Sequence, residues 1–266
     1  MSFKLIIIGD EILHGSRADS HFVYFKNLLA QYGLKLHSVH YLPDDREVLT
    51  AALQQSFSDG LPTFVTGGIG ATPDDHTRQA AAAALHLPLA LHPEAAETIN
   101  AISLQRGDSL DSAEHQRRLN LAVFPAGAEL VPNPYNQVAG FHIREHYFLP
   151  GFPVMAHPMA EWVLHTFYAD RFHQTRSETR TIWLFDQPES RLIPLMESIE
   201  QRFPNIRTFS LPSVEKTLPN GKTVPAHIEF GLKAEGEACN QMETAWQEVL
   251  STLHDLDIAW QEHDFA

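Results

Sequence analysis

Apolar residues crowd positions 3–8, an Ile-rich run of strand length suited to burial on both faces of a sheet. Phe22, Phe25, Leu29 and Tyr32 then recur at helical spacing, and Gly33 stands where such a helix would stop. The alternation continues. Residues 34–42 predict a second strand, and 45–57 a helix with Val48, Leu49, Ala52 and Leu53 on one side. Thr63–Thr66 predicts a third strand after the Asp59-Gly60 turn. An Ala-rich helix is expected over 73–85, with further helices over 93–104 and 111–121. Turn-rich segments around Pro125-Ala126-Gly127 and Pro132 to Asn136 frame 141–149 as a single strand. In it His142, Arg144 and His146 alternate with Phe141, Ile143 and Tyr147, as on a half-buried strand with a solvated face. A helix over 155–172 closes this unit.

Strand, helix and strand repeating at this spacing argue for an α/β fold, with a mainly parallel sheet and helices on both of its faces. From about residue 173 the pattern changes. A strand at 180–185, a helix at 189–203 and a strand at 206–211 are followed by the hairpin-type turn Pro219-Asn220-Gly221, a strand at 224–234 and a helix at 236–253. This reads as a small α+β unit, so the expected division is 1–172 and 173–266. The second unit is expected to pack on the first or on another subunit of a homo-oligomer.

Composition narrows the function. Among 266 residues, 33 are acidic and 19 are Lys or Arg, giving a formal charge of -14. Without a basic patch, an acidic chain of this kind is a poor partner for nucleic acid or an anionic membrane. The second unit also lacks the basic Gly-x-x-Gly loop of an RNA-binding module. No apolar run approaches the roughly 18 residues of a membrane span, and none resembles a secretory leader, so a cytoplasmic protein is expected. The single Cys239 excludes an internal disulfide framework and a multi-cysteine metal site.

The most informative segment runs from Val65 to Thr77. Gly67, Gly68 and Gly70 follow a strand, where glycine lets the backbone turn sharply and bring its N–H groups close to an anion. Thr66, Thr72 and Thr77 flank them as candidate phosphate contacts. A lysine-bearing P-loop ending is absent, and the spacing fails the dinucleotide fingerprint. A purely structural reading also exists: Thr72 as N-cap, Pro73 at the first helical position and Asp75 completing a capping box. Asp74 and Asp75 beside such a loop suit a hard divalent cation that bridges carboxylate and substrate phosphate. Asp44-Asp45 and Gly9-Asp10-Glu11 end two other strands and should reach the same carboxyl edge, where open parallel sheets bind ligands. His76 is a candidate phosphate contact or acid/base group. The Asn133-Pro134-Tyr135-Asn136 segment is a rigid turn and a candidate stacking loop.

Taken in order, Gly9 to Leu13 with Gly15, Asp44-Asp45, the Thr66 to Thr77 element, Asn133-Pro134 with Ala139 to Phe141, and Leu149-Pro150-Gly151-Phe152-Pro153 resemble the molybdopterin-binding MoaB/Mog-like domain, in its CinA (competence/damage-inducible protein A) branch. The resemblance covers residues 3 to about 170. It implies a three-layer α/β sandwich. Its molybdopterin branch binds and adenylylates a pterin phosphate, whereas its CinA branch is associated with metal-dependent hydrolysis of ADP-ribose-like pyrophosphates. By motif, the two aspartates that matter in the adenylylating relatives fall on Asp44 and Asp75, and Pro150 and Gly151 fall in a site-bordering turn. Longer relatives carry a further C-terminal deamidase domain, which is not expected within these 266 residues. The chain departs from the branch at His21, where Asn is usual, and at Ala71, where Pro is usual. It also has Asn120-Leu121-Ala122 for a Lys-Gln-Ala stretch, and Val154-Met155 where a Glu is usual.

Three functions are therefore expected in turn. The first is metal-dependent hydrolysis of a nucleotide pyrophosphate such as ADP-ribose or FAD. Asp44 and Asp75 would be catalytic, Asp44, Asp74, Asp75 and Glu11 would hold magnesium, manganese or cobalt, and Asp10 is a further candidate. The second is molybdopterin binding or adenylyl transfer in molybdenum cofactor synthesis. The third is non-catalytic nucleotide binding.

Overall fold

Side chains of the first strand, β1 (Ser2–Ile8), alternate between two cores, and this sets the layering of the N-terminal unit in the computed structural model. Residues 1–217 and 223–262 are described by the structure. Phe3, Leu5 and Ile7 pack in one apolar cluster, Ile6 and Ile8 in the other. The chain divides into two compact units, Met1–His173 and Gln174–Ala266.

In the first unit β1 is followed by α1 (Asp10–Leu13), α2 (His21–Gln31), β2 (Lys35–Leu42), α3 (Arg46–Ser58), β3 (Thr63–Thr66), α4 (Thr77–Ala84), β4 (Leu89–Leu91) and α5 (Pro93–Gln105). Then come α6 (Ala113–Leu119), β5 (Val123–Pro125), β6 (Glu129–Val131), β7 (Gly140–Ile143), β8 (His146–Leu149) and α7 (Pro153–Phe167). The main sheet has the order β2-β1-β3-β8-β7-β6. Its pairings β1–β2, β1–β3 and β3–β8 are parallel, and β7 pairs antiparallel with both β8 and β6. Helices α2 and α7 cover one face with Phe25, Leu29, Met159 and Val163; α3, α4 and α5 cover the other with Leu49, Leu53, Ala80, Ala81 and Ile99. The result is an α/β fold with a mainly parallel central sheet between helical layers.

Three expectations need correction. The Ala-rich helix begins at Thr77, not at residue 73, so Thr72-Pro73 is not its cap. The stretch 141–149 is not one strand but the hairpin β7–β8. Arg144 (φ 48) and Glu145 (φ 55) turn it in left-handed backbone, in a dipeptide with none of the usual Asn or Gly. His146 is consequently buried rather than solvated: its Nδ1–H donates to Arg144 O (2.9 Å), and its Nε2 accepts from Ser56 Oγ (2.9 Å). Ser56 in turn accepts from the buried Lys4 ammonium at 3.2 Å, which pairs with Asp59 at 2.6 Å. Finally, the helix expected over 111–121 gives way to a 3-10 turn at Asn120–Ala122, and the short strands β4, β5 and β6 lie in segments too brief for a periodic signal.

The second unit contains β9 (Ser177–Leu184), α8 (Ile193–Arg202), β10 (Ile206–Ser213), β11 (Lys216–Thr217), β12 (Thr223–Val224), β13 (His227–Glu235), α9 (Met242–Asp255) and β14 (Trp260–Glu262). An antiparallel sheet, β10-β13-β9-β14, packs Ile182, Phe230 and Leu232 against Ile199, Trp246 and Val249 of α8 and α9. The expected strand 224–234 is interrupted at Pro225, which has no N–H to give a ladder. The expected turn Pro219-Asn220-Gly221 lies outside the described residues.

Candidate functional site

The strand order places the site. From β1 the chain runs outward to β2 and then returns across β1 to β3, so the direction reverses between β1 and β3, and the crevice at their carboxyl ends is where such sheets take ligands. A cleft of about 490 Å³ lies there, lined by Gly9, Glu11, Asp44, Gly67 to Thr72, Asp74 and Asp75 among others. Its size suits a small-molecule ligand.

Three glycines fit the loop so closely that each has a structural cause as well. Gly67 (φ 102) lies against the carbonyl oxygen of Ile8, and Gly68 (φ 64) against the Thr77 hydroxyl; a Cβ on Gly70 would meet the Asp75 carboxylate. The Gly67 N–H is already used, donating to Leu149 O at 3.0 Å. Among the described residues, the next N–H groups, on Gly68, Ile69, Gly70 and Ala71, donate to no protein acceptor. A run of unpaired amides along a cleft, entered through left-handed backbone at Gly67 and Gly68, has the geometry to take an anion.

The loop is held from behind. Asp75 Oδ2 accepts from the Thr72 N–H (2.9 Å) and hydroxyl (2.5 Å), while the Asp75 N–H donates to Thr72 O at 3.1 Å. This is half of a capping box, the carboxylate accepting from the Thr72 N–H; the Asp75 N–H goes to the Thr72 backbone carbonyl instead of its hydroxyl, and the bonds close a turn that precedes the helix itself. Thr77 is buried, donating its hydroxyl to Gly67 O (3.0 Å) and its N–H to Gly68 O (3.0 Å). Arg78, also buried, donates to Gly70 O and to Val123 O, and burial lowers its pKa against the opposing field of Asp75.

Across the loop stands Asp44. Its Oδ2 accepts from the Asp10 N–H at 3.0 Å, and its Oδ1 would lie 3.5 Å from a Cβ on Gly68. Burial raises its pKa, the Asp10 N–H opposes that rise, and the charges of Asp10, Glu11 and Asp74 add to it. Asp74, fully exposed, is pulled down instead by its bond to Thr72. Asp45 is the N-cap of α3, its Oδ1 accepting from Glu47 and Val48 N–H, both at 2.9 Å. The two adjacent aspartates thus have separate tasks, one capping and one facing the cleft.

The remaining walls come from distant segments. Pro150 and Gly151 line the cleft, with the position of a Cβ on Gly151 3.4 Å from Gly67 Cα. His21 Nε2 donates to Gly151 O (3.1 Å); its Nδ1 is buried without a partner, and burial lowers its pKa. Asn133 is buried and shapes its own turn, giving Nδ2 to Asn136 Oδ1 (2.8 Å) and Val138 O (3.0 Å) and taking the Tyr135 N–H (3.0 Å).

The expected residues therefore separate. Gly67, Gly68, Gly70, Thr72, Asp44, Asp74, Asp75, Glu11, Asn133, Pro150 and Gly151 meet at the cleft. Thr66 is buried in its strand, Thr77 fixes the loop, Asp10 serves Asp44 through its N–H, and none of the three lines the cleft. His76 also stays outside it, at the N-cap of α4 with no capping bond. Among the described residues no three His, Cys, Asp or Glu side chains form a ready-made metal cage. Arg17, Phe152 and Met155 line the cleft and Arg78 braces it. Arg17 and Arg78 have no role in the sequence reading, though an arginine on the buried side of an alanine helix is itself a signal of a bound partner.

The sequence profile of the family described as a probable molybdopterin binding domain matches residues 4–169. A CinA-like protein of Citrifermentans bemidjiense is 30% identical over 201 residues, 74% of this chain and 47% of the relative. Another, from Desulforapulum autotrophicum, is 27% identical over 263 residues, 95% of this chain and 60% of the relative. The chain thus spans about half the length of the first of these curated relatives. Among solved structures, a CinA of unknown function from Thermoplasma acidophilum aligns with a TM-score of 0.54 at 21% identity, covering 62% of this chain and 98% of that one, which supports the fold alone.

Proposed function

The chain belongs to the family described as the probable molybdopterin binding domain, and from that premise we propose that its cleft binds a small nucleotide or pterin phosphate and hydrolyses a nucleotide pyrophosphate with a divalent cation. The observation that carries this reading is the pairing of opposites across the glycine loop. Amides of Gly68 to Ala71 without acceptors face an anion's needs, and Asp44, half-buried among Asp10, Glu11 and Asp74, lacks a positive partner.

The donor set fits magnesium, manganese or cobalt, because such ions take one or two carboxylates and complete their shell with water and phosphate oxygens rather than a protein cage. Asp44 and Asp74 would hold the ion, with Asp75 and Glu11 at its margin. A bound cation supplies charge neutralisation at the pyrophosphate and acidifies water. The chain's own part is to bind and orient. The loop amides take the phosphate oxygens, Asp75 fixes the loop through Thr72, the Asp10 N–H fixes Asp44, and the Pro150-Gly151 turn closes the side of the cleft.

Incubation with ADP-ribose, FAD and dinucleotides across the three metals tests the reaction. AMP release is expected, and no AMP under any metal sinks hydrolysis. The family match favours a second reading, retention of molybdopterin or its coupling to ATP, which fails if the protein neither holds the pterin nor consumes ATP with it. Ligand-induced thermal stabilisation without turnover would identify a binding protein instead.

A further inference from the structure

Of the residues that line the cleft, Arg17 is the one Lys or Arg, in a lining that also includes Glu11, Asp44, Asp74 and Asp75. Among the described residues it makes no ion pair with any of them. Its guanidinium instead lies over the ring of Phe152, 5.3 Å from the centroid. Phe152 is 55% exposed, and Arg17 is exposed as well. The two arrive from opposite ends of the unit: Arg17 from the turn after α1, where its N–H donates to Glu11 O at 3.0 Å, and Phe152 from the residue that precedes α7. Nothing in the packing of the core calls for this contact.

An arginine stacked on an aromatic ring in water contributes only about 0.5–1 kcal/mol, so fold stability does not account for it. What the pair offers is a flat surface with a charge at its edge. A guanidinium plane and a phenyl ring both accept a stacked heterocycle, and the guanidinium fork still has N–H groups to give a phosphate. Ile12 and Met155 also line the cleft and add apolar surface to it. The same cleft thus offers loop amides and carboxylates for phosphate and cation, and a surface on which a planar ring can stack.

We propose that Arg17 and Phe152 form the specificity-determining wall of the cleft, which selects a nucleoside diphosphate over a phosphate compound without a base. Phe152 recognises the base, and Arg17 both the base and a phosphate. This rests on the cleft being a phosphate site and assigns its ligand class.

Titration calorimetry with ADP and with inorganic pyrophosphate, each in magnesium, tests it on the parent and on Phe152→Ala, Arg17→Ala and Arg17→Lys. Both side chains are exposed, and unchanged melting temperatures will confirm that the variants fold. Phe152→Ala should weaken ADP about tenfold, the value of one stacked base, and leave pyrophosphate within about twofold. Arg17→Ala should weaken both ligands. Arg17→Lys should recover pyrophosphate but not ADP, because lysine restores charge without a plane. If the parent binds ADP and loses it in Asp75→Ala, yet Phe152→Ala binds ADP within about twofold or weakens both ligands alike, the proposed wall is wrong while the phosphate site stands. If the parent binds neither ligand, both fall together.

Discussion

The backbone N–H of Asp10 donates to Asp44 Oδ2 at 3.0 Å, so the end of one strand holds a carboxylate that begins beyond the next. This contact fixes an acid in surroundings that resist its charge. Burial first, and then Asp10, Glu11 and Asp74, raise its pKa above the usual carboxylate value. A raised carboxylate is stabilising only while protonated, below the unfolded pKa of 3.8, and that contribution is lost as pH rises through the folded value. At pH 7 the charge of Asp44 is therefore a cost to the fold. Asp44→Asn should melt at or above the parent temperature at pH 7, and the difference should vanish in acid. On the proposed cation site, magnesium or manganese should raise the melting temperature of the parent and not of this variant. A clear drop in melting temperature at neutral pH would contradict this account.

Asp75 is tied to Thr72 by an N–H and a hydroxyl. Asp75→Ala should cost about 1.5–3 kcal/mol in urea unfolding, as for hydrogen bonds to a charged acceptor. Phosphate affinity should fall with it. Full stability with lost affinity would make Asp75 a ligand contact alone.

Backbone geometry separates two glycines that look alike in sequence. Gly67 has φ 102 and rests on Ile8 O, whereas Gly60 has φ 67 and open space where a Cβ would sit. Gly60→Ala should cost about 1 kcal/mol for left-handed backbone alone. Gly67→Ala adds overlap with a strand carbonyl and should cost about 3 kcal/mol or more. Equal urea midpoints for the two variants would show that the loop can shift.

A buried histidine sets part of the acid response. Burial chiefly, with the Lys4 charge adding, pushes the His146 pKa down to about 4 from 6.5. The unfolded chain takes up a proton below about 6.5, while the folded chain does not until about 4. Stability should therefore fall as pH drops through that window, by about 3 kcal/mol if the whole shift is expressed. His21, His142 and His157 are also lowered by burial and share the window, so the variant comparison is what isolates His146. His146→Gln should unfold with a shallower slope between pH 4 and 6.5, and an unchanged slope would remove His146 from the acid response.

Much of the first unit was legible because its signals are local. The apolar run of β1, the helical spacing from Phe22 to Tyr32 and the strand Thr63–Thr66 each announce an element without tertiary help. The glycine loop was legible for a related reason, since folding alone seldom needs three glycines, flanking threonines and adjacent aspartates together at a strand end. What misled was chemistry that two structures share. Thr72 and Asp75 have the spacing of a helix cap and make one of its two bonds, the Thr72 N–H to the Asp75 carboxylate, but in a turn that precedes the helix. The Arg144-Glu145 turn was hidden because neither residue favours left-handed backbone; strand pairing on both sides imposes it. Arg17 escaped notice because its partner, Phe152, lies far along the chain, and no spacing rule spans that distance.

The hairpin that brings β8 beside β3 also dates the cleft. Thr66 lies in register with Leu149, the Gly67 N–H ends on Leu149 O, and Gly151 backs onto Gly67. The glycine loop therefore leaves the ribosome well before the segment that completes it. Until residues 146–151 arrive and pair, β3 has an open edge and the loop has no wall, and closing so long a stretch of chain is a slow, entropically costly step. A ligand that needs both the glycine loop and the Pro150-Gly151 turn can therefore be held only by chains whose β8 has already docked.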